Sequence, residues 1–335
     1  MEQISASAPG KLMLFGEHSV VYGHPSIVTA VDQRLKVIIK KNGVNLFKLD
    51  APDLGLKAYS KTMDDLGKQP LPKAVRFVET FYKNFLKKYP QTRGIDVVTR
   101  SDFAHTFGFG SSSAVTVAFA KALTTLYGFK FSKKELFDLC YEAVIEVQGV
   151  GSGFDLAAAI WGGTIYYIPP AETVEALKVD LLPMVVGYTG VKADTPTIVR
   201  LVQSMRSNNR EKIDGIFTVI TEIVEKGRKA IENKDWKKVG ELMNQNQELL
   251  CKLQVSSIEL EKLIKGANRG GAIGAKLSGA GGGDCMIALV KKDKVNREAR
   301  EGALGYKKKV EQAIEEAGGQ VIEVKLNAEG VRLEE

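Results

Sequence analysis

The sequence has little cysteine and no long apolar run, and each of these absences excludes a class of protein. Its three cysteines, Cys140, Cys251 and Cys285, lie far apart, with neither metal-site spacing nor a disulfide framework. A reducing compartment, the cytoplasm, is the simplest interpretation. The chain does not open on a basic stretch followed by an apolar segment, and no window of about 20 residues is free of charge. The sequence therefore predicts neither secretion nor a membrane-spanning segment.

Basic residues exceed acidic ones, but they do not form a basic stripe interleaved with aromatic residues. The net charge is +7, from 47 Lys and Arg against 40 Asp and Glu. Near residue 307 lysines alternate with acidic residues (KKKVEQAIEEAGG), which is typical of a solvated helix surface. A polyanionic partner is the less favoured interpretation, although the excess charge would help to steer phosphorylated ligands. The sequence predicts no nucleic-acid partner and no membrane partner.

A chain of 335 residues is too long for one ordinary core and suits two lobes or one elaborated α/β unit. The order of predicted elements favours an α+β arrangement in two lobes. Ser132 and Glu135 form a capping box, which predicts a helix start. Strands dominate the beginning, helices the later half, and strands return at the end. We predict lobes at residues 1–183 and 184–335. The predicted strands are 28–41, 95–100, 184–189, 286–292 and 320–326, and the predicted helices are 114–127, 133–148 and most of 209–253.

Two glycine-rich segments in the first lobe suggest chemistry. APGKLMLFGEHSVVYG (8–23) places Lys11 after Pro-Gly, although a strand and hairpin with a surface lysine explains it equally well. FGFGSSSAVTVAFAKAL (107–123) sets two glycines before three serines at the start of an amphipathic helix. Helix-start amides bind anions, and serine hydroxyls add donors or a Mg²⁺ ligand. The segment is neither a Walker loop nor a dinucleotide fingerprint, and an ordinary serine cap is the alternative.

A third glycine-rich segment and one carboxylate complete the set. GAKLSGAGGGDCMIALV (274–290) has four glycines in five residues before a strand, which favours close approach of a phosphate or substrate over a tight turn. QGVGSGFDLAAAIWGG (148–163) places Asp155 before an alanine-rich helix, where a plain N-cap is the alternative. Beside Lys11, Asp155 would suit phosphoryl transfer: the carboxylate would orient the acceptor hydroxyl, and the lysine would lower its pKa or neutralise the transferring group.

These segments, in this order, resemble the three motifs of the GHMP kinases, and the similarity extends through most of the chain. PGKLMLFGEHSVVYGHPSIV, VGYTGVKADTPTIVRLV and GELMNQNQELLCKLQVSS look most like the mevalonate kinases of that superfamily. The resemblance implies an α+β, two-lobed GHMP kinase fold. Its N-terminal lobe would resemble ribosomal protein S5 domain 2, and its helix-rich C-terminal lobe would carry an antiparallel sheet. The implied reaction is ATP- and Mg²⁺-dependent phosphorylation of the primary hydroxyl of mevalonate, a small-molecule substrate, and a homodimer is compatible with the resemblance.

The same resemblance implies a role for individual residues. Asp155 would be the catalytic carboxylate, Lys11 its partner, and Ser112 a Mg²⁺ ligand. The implied cofactor-binding residues are Gly108, Phe109, Gly110, Ser111, Ser112, Ser113, Gly281 and Gly282, and the implied substrate-binding residues are Glu17, His18, Thr189, Gly279 and Ala280.

The chain departs from the mevalonate kinase pattern at the metal site. Those kinases usually place a Mg²⁺-binding glutamate eleven residues before the catalytic aspartate, where this chain has Val144. Glu142 and Glu146 flank that position on one helix face. Glu146 is the predicted ligand because it is nearer the loop, and solvated helix charges are the alternative.

A second departure concerns the acceptor. GSGFDLAAA, GAGGGDC and the closing EGVRLEE look more like phosphomevalonate kinase. That enzyme must bind a second phosphate and usually carries a lysine before the phosphate loop, where this chain has His105-Thr106. We therefore predict mevalonate as the acceptor and keep 5-phosphomevalonate as the alternative, since a distant lysine such as Lys192 could fold into the pocket.

Two other proteins of this fold fit less well. A non-catalytic relative that only binds a nucleotide is disfavoured because Lys11, Ser112 and Asp155 are all present. A diphosphomevalonate-type decarboxylase would be expected to lack the lysine of the first motif, and Lys11 is there.

Overall fold

The computed structural model describes residues 3–91, 94–291 and 305–335 and arranges their strands in two sheets. The strands are β1 (Gln3–Phe15), β2 (Ser26–Lys41), β3 (Leu46–Ala51), β4 (Leu56–Thr62), β5 (Ile95–Ser101), β6 (Thr164–Ile168), β7 (Thr173–Ala176), β8 (Met184–Tyr188), β9 (Gly274–Ser278), β10 (Cys285–Leu289), β11 (Gln320–Ile322) and β12 (Arg332–Glu334). The helices are α1 (Arg76–Lys88), α2 (Ser111–Leu126), α3 (Lys133–Gln148), α4 (Phe154–Trp161), α5 (Thr195–Asn208), α6 (Arg210–Glu232), α7 (Trp236–Lys252), α8 (Ile258–Arg269) and α9 (Tyr306–Glu316).

The first sheet carries the helices that position the site. Its order is β12-β1-β2-β5-β3-β4, with β6 paired to β2 and β7 to β6. Its pairs are antiparallel except for β3 with β5. Helices α2 and α4 pack directly on β1 and β2, and α1 and α3 pack against α2. Ala114, Val117 and Ala118 of α2 are fully buried, at the spacing that places them on one helix face. The first turns of α2 and α4 therefore lie close to β1.

The second sheet is fully antiparallel, in the order β11-β8-β10-β9. Helices α7 and α8 pack on β9, and α9 packs on β8 and β11, while α6 joins α7 to strands β1 and β2. The apolar strand β10 lies between β8 and β9 in this sheet and is buried along its whole length. This arrangement confirms the expected α+β fold with a helix-rich second part around an antiparallel sheet.

Most elements predicted from the sequence are present, with shifted ends. The capping box is confirmed, since the Ser132 amide donates to Glu135 Oε2 (2.7 Å) and the Glu135 amide donates to Ser132 Oγ (3.2 Å). Helix α2 begins at Ser111, three residues earlier than predicted. The predicted strand at 320–326 ends at Ile322. The predicted strand at 286–292 is seen as β10, and its last residue lies outside the described residues.

The long helical stretch predicted for 209–253 is two helices. Lys234 adopts a positive φ of 56°, which an α-helix does not allow, and it separates α6 from α7. The side chain of Asp235 then caps α7 by accepting a hydrogen bond from the Lys238 amide. The apolar periodicity continues through the break, because both helices pack on the same core.

The end of the chain returns to the first sheet. Strand β12 pairs antiparallel with β1 over Ser5–Ser7, and the buried Arg34 donates to the carbonyl oxygens of Glu329 (2.8 Å) and Gly330 (2.7 Å). A division at residues 183 and 184 stays a prediction, and it would separate β12 from the strand it pairs with. Among the described ranges, no helix combines the length and apolar character needed to cross a membrane.

Candidate active site

Lys11 of β1 and Asp155 of α4 meet beside the loop that precedes α2. The Lys11 ammonium lies 3.3 Å from Asp155 Oδ1 and donates to the carbonyl oxygen of Gly108 (2.9 Å). The backbone amide of Lys11 also donates to the carbonyl oxygen of Phe109 (3.0 Å). The lysine is buried, whereas the Asp155 side chain is 32% exposed. The structure therefore places a fixed cation beside a partly exposed carboxylate, and the catalytic roles of the pair stay a prediction.

The phosphate loop, residues 108–113, presents backbone amides at the start of α2. Gly108 and Gly110 both have positive φ (72° and 77°), which turns the chain sharply before Ser111. No acceptor among the described residues takes a hydrogen bond from the amides of Ser111 or Ser112. Free amides at the positive end of a helix dipole are the features by which helix starts bind anions, and phosphate binding here stays a prediction.

Phe109 and Ser113 differ from the other residues of this loop because both are buried. The Phe109 ring packs against Phe103 and Phe107, with ring centroids 5.7 and 5.8 Å away. Phe109 can therefore contribute to phosphate binding only through its backbone.

The third glycine-rich segment is tied to the chain that follows β8 through Asp284. The Asp284 amide donates to the carbonyl oxygen of Val191 (2.8 Å), and Asp284 Oδ1 accepts from the amide of Ala193 (2.9 Å). The hydroxyl of Thr189, a predicted substrate-binding residue, lies 3.0 Å from the carbonyl oxygen of Asp284 and 3.1 Å from that of Val191. Thr189 therefore connects the third glycine-rich segment to the chain after β8.

Asp284 also contacts the phosphate loop, and the sequence analysis missed it. A Cβ atom built on Gly108 would lie 2.5 Å from Asp284 Oδ2, so the aspartate fits against that glycine. Burial raises the pKa of the Asp284 carboxyl, and the charges of Lys11 and Lys192 partly offset this effect. The sequence feature that could have identified Asp284 is that it is the only charged residue within GAGGGDC.

Replacing Gly108 by alanine should weaken ADP binding by about tenfold or more, because the new methyl group would displace Asp284 or the loop, whose positive φ it also strains. Gly128→Ala is the matched control, since Gly128 has φ +75° and nothing within 4 Å of its Cβ position. Calorimetric titration with ADP measures both. Equal ADP affinity in the two variants would contradict the crowding account.

Glu17 and His18 are placed beneath the turn of the third segment. The Glu17 carboxylate forms a fully buried ion pair with Lys276 of β9, a partner that the sequence analysis missed. Burial raises the pKa of Glu17 and lowers that of Lys276, while their mutual attraction opposes both shifts. His18 Nε2 donates to the carbonyl oxygen of Ala280 (2.8 Å), and burial lowers the pKa of His18 to about 4, so this imidazole is neutral. Both side chains hold the turn, and their predicted contact with substrate stays a prediction.

The two glutamates proposed for Mg²⁺ are bound by lysines of α1. The Glu146 carboxylate pairs with Lys83 and accepts a hydrogen bond from Asn84 Nδ2 (2.8 Å). Glu142 pairs with Lys88 at 2.5 Å. A Mg²⁺ ion bound by Glu146 would therefore require the Lys83 pair to break. The described residues contain no group of three or more His, Cys, Asp or Glu side chains arranged for a metal ion.

Lys192 brings a cation to the segment before the phosphate loop. Its ammonium donates to the carbonyl oxygen of His105 (3.2 Å). Burial lowers the pKa of Lys192, and the nearby charge of Lys73 lowers it further. The cation that the sequence lacks at His105 is thus provided by a lysine from the segment after β8, which folds next to it.

Comparison with known proteins gives matches to two family models and to relatives along the whole length of the chain. Residues 76–163 match the family model of the GHMP kinases N terminal domain, and residues 228–308 match that of the GHMP kinases C terminal. The chain is 36% identical to the mevalonate kinase of Pyrococcus horikoshii, with 100% of this chain and 99% of that protein covered.

Two solved structures share the fold along nearly the whole chain. The Methanococcus jannaschii mevalonate kinase aligns with a TM-score of 0.79 and 25% identity, covering 97% of this chain and 98% of that one. The Streptococcus pneumoniae phosphomevalonate kinase, in complex with phosphomevalonate and AMPPNP, aligns with a TM-score of 0.77 over 97% of this chain and 100% of that one. At 20% identity, that second likeness concerns the fold alone. The predicted GHMP kinase fold is confirmed, and the chain belongs to the mevalonate kinase family of these ATP-dependent kinases.

Proposed function

We propose that this protein transfers the γ-phosphoryl group of ATP to the primary hydroxyl of mevalonate, giving 5-phosphomevalonate. The observation that carries the proposal is the Lys11–Asp155 pair, 3.3 Å apart, beside the free amides at the start of α2. A relative at 36% identity is the mevalonate kinase of Pyrococcus horikoshii, which supports the choice of acceptor.

Asp155 and Lys11 divide the chemistry between them. Asp155 orients the primary hydroxyl and accepts its proton as the oxygen attacks phosphorus. Lys11 is held by the carbonyl oxygen of Gly108, so its charge is already in place where negative charge develops. Catalysis of phosphoryl transfer depends on such positioning and electrostatic stabilisation, because the protein has little covalent chemistry to perform.

The residues of the phosphate loop fit an ATP polyphosphate with its Mg²⁺. The amides of Ser111 and Ser112 are available, and no described group hydrogen-bonds the Ser112 hydroxyl, which we assign as a metal ligand. Bound Mg²⁺ supplies neutralisation of phosphate charge. We assign Gly281 and Gly282 to the phosphate side of the cleft.

The acceptor end is assigned to the turn of Gly279 and Ala280. His18 holds this turn from below through Ala280, with Glu17 and Thr189 behind it. The three cysteines of the chain are free thiols, and we place the reaction in a reducing compartment, the cytoplasm.

The second candidate acceptor is 5-phosphomevalonate, and one observation favours it. Lys192 places a cation at His105, so the charge needed to bind a second phosphate is present after all. Burying a dianion without such partners would cost several kcal/mol. Mevalonate remains the proposed acceptor because the family assignment rests on whole-length similarity to a mevalonate kinase.

Phosphorus NMR of a reaction with Mg²⁺, ATP and mevalonate tests the proposal. We expect ADP and a new phosphate monoester in equal amounts, with the phosphorus coupled to the two protons of a CH₂ group. A monoester without that coupling would place the phosphate on the tertiary hydroxyl, and ADP release no greater than without mevalonate would reject this acceptor.

A further inference from the structure

The metal site of this kinase lacks the carboxylate expected from its family. The family position carries Val144, and the nearby Glu142 and Glu146 are engaged by Lys88 and Lys83. In nucleotide-binding sites Mg²⁺ is usually held by one or two carboxylates together with the substrate phosphates. A hydroxyl from Ser112 alone would leave the protein's share of that coordination incomplete.

Asp284 lies where such a carboxylate is needed. Oδ1 is fixed by the amide of Ala193, while no described residue hydrogen-bonds Oδ2. The side chain lies side-on against Gly108 of the phosphate loop, with Oδ2, Cγ and Cβ at 2.5, 2.6 and 2.7 Å from the position of a Cβ on that glycine. It is thus anchored through one oxygen and keeps the other unpaired beside the phosphate loop.

A bound nucleotide would oppose the charge of Asp284. Its carboxylate would repel ATP phosphates bound at the adjacent amides, since like charges a few ångströms apart interact by several kcal/mol near a protein surface. Lys11 and Lys192 offset part of this charge, but Lys11 also contacts Asp155 and Gly108, and Lys192 donates to the carbonyl oxygen of His105. A divalent cation between the carboxylate and the phosphates turns this repulsion into attraction.

We infer that Asp284, and not Glu146, supplies the protein carboxylate that binds the Mg²⁺ of Mg²⁺·ATP, together with the Ser112 hydroxyl. This inference rests on the proposed use of ATP but not on the identity of the acceptor.

The test compares Asp284→Asn with Glu146→Gln as the matched control, without any acceptor. Asparagine keeps Oδ1 for the Ala193 amide and removes the charge. Mn²⁺ binding in saturating ADP is measured from the EPR signal of free Mn²⁺, and metal-free ADP binding by calorimetry in EDTA. For Asp284→Asn we expect Mn²⁺ to bind about tenfold more weakly or worse, with metal-free ADP affinity unchanged or tighter. Glu146→Gln should leave both values unchanged.

Three results would overturn the inference. Unchanged Mn²⁺ affinity in Asp284→Asn removes the residue from the metal site. A loss confined to Glu146→Gln assigns the metal to that glutamate. Equal weakening of Mn²⁺·ADP and metal-free ADP in Asp284→Asn would show that the aspartate only holds the loop.

A measurement on the wild-type chain keeps the inference testable if the variant does not fold. Fe²⁺ in place of Mg²⁺, with ADP, ascorbate and hydrogen peroxide, generates radicals that cut the backbone beside the metal. We expect cuts near Asp284 and within residues 108–113, and cuts near Glu146 instead would contradict the inference. Failure of mevalonate phosphorylation would reject the proposed function without altering either metal measurement.

Discussion

Replacing Asp155 by asparagine is expected to lower kcat by about 10²–10⁴-fold, the usual cost of losing a positioned acid–base group. Asparagine has nearly the same shape, so the first turn of α4 should keep its place against β1. ADP binding should remain largely intact, because the amides proposed to bind the phosphates belong to α2. Steady-state kinetics give kcat, and calorimetric titration gives the ADP affinity.

The matched control for this variant is Asp138→Asn on α3. Asp138 is an exposed aspartate that pairs with Lys134, and no role in the reaction is proposed for it. The substitution makes the same chemical change at this control position. Its kcat should equal that of the wild type. If Asp155→Asn keeps more than about a tenth of the wild-type kcat, Asp155 is a helix-start residue and not the catalytic carboxylate.

Replacing Lys276 by methionine should destabilise the protein by about 3–5 kcal/mol, the usual cost of removing one partner of a buried ion pair. The Glu17 carboxylate would then be buried without a counter-charge, and its Oε2 already has no hydrogen-bond partner among the described residues. Urea unfolding measures the free energy of unfolding. The loss should be largest near pH 7 and shrink as the pH falls toward 4.5, because burial raises the pKa of Glu17 and protonation removes the uncompensated charge.

Two further variants separate this effect from a simple loss of packing. Lys238→Met removes an exposed lysine that pairs with Glu241 on α7, and it should change stability by about 1 kcal/mol or less. The double variant Glu17→Gln with Lys276→Met should be more stable than Lys276→Met alone, since no buried charge remains. A double variant no more stable than the single one would show that the ion pair is not the cause.

Local patterns in the sequence predicted the structural features that depend only on neighbouring residues. The Ser132–Glu135 capping box and helix α2 after its glycines follow from hydrogen bonds and periodicity within a few residues. The pairing of Lys11 with Asp155 was proposed from the chemistry of the two residues and implied again by the motif resemblance, and the structure brings the two side chains to 3.3 Å.

Contacts between distant segments could not be predicted in this way. Glu17 and Lys276 are 259 residues apart, and only the packing of β9 beneath the first motif brings them together. Periodicity correctly placed Glu142 and Glu146 on one face of α3, but it could not show that α1 covers that face with lysines. Such pairs depend on how distant elements pack together, which the spacing of residues within one element does not indicate.

The contact of Lys192 with His105 is a third case, and it bears directly on the acceptor. The two residues are 87 positions apart, and the sequence indicated only that a distant lysine such as Lys192 could fold into the pocket, without showing where it would lie. The Lys192 ammonium could bind the phosphate of 5-phosphomevalonate or attract the nucleotide. The preference of the protein between the two acceptors distinguishes these roles.

The most direct measurement of that preference places both acceptors in one reaction. Carbon-13-labelled mevalonate and unlabelled 5-phosphomevalonate compete at equal, limiting concentrations with Mg²⁺·ATP, and mass spectrometry of initial products gives the ratio of their kcat/KM values. Mevalonate should be consumed faster by about tenfold or more, which corresponds to 1.4 kcal/mol in the transition state. Lys192→Gln should leave this preference in place. Faster consumption of 5-phosphomevalonate by the wild type, lost in Lys192→Gln, would contradict the account and make the protein a phosphomevalonate kinase.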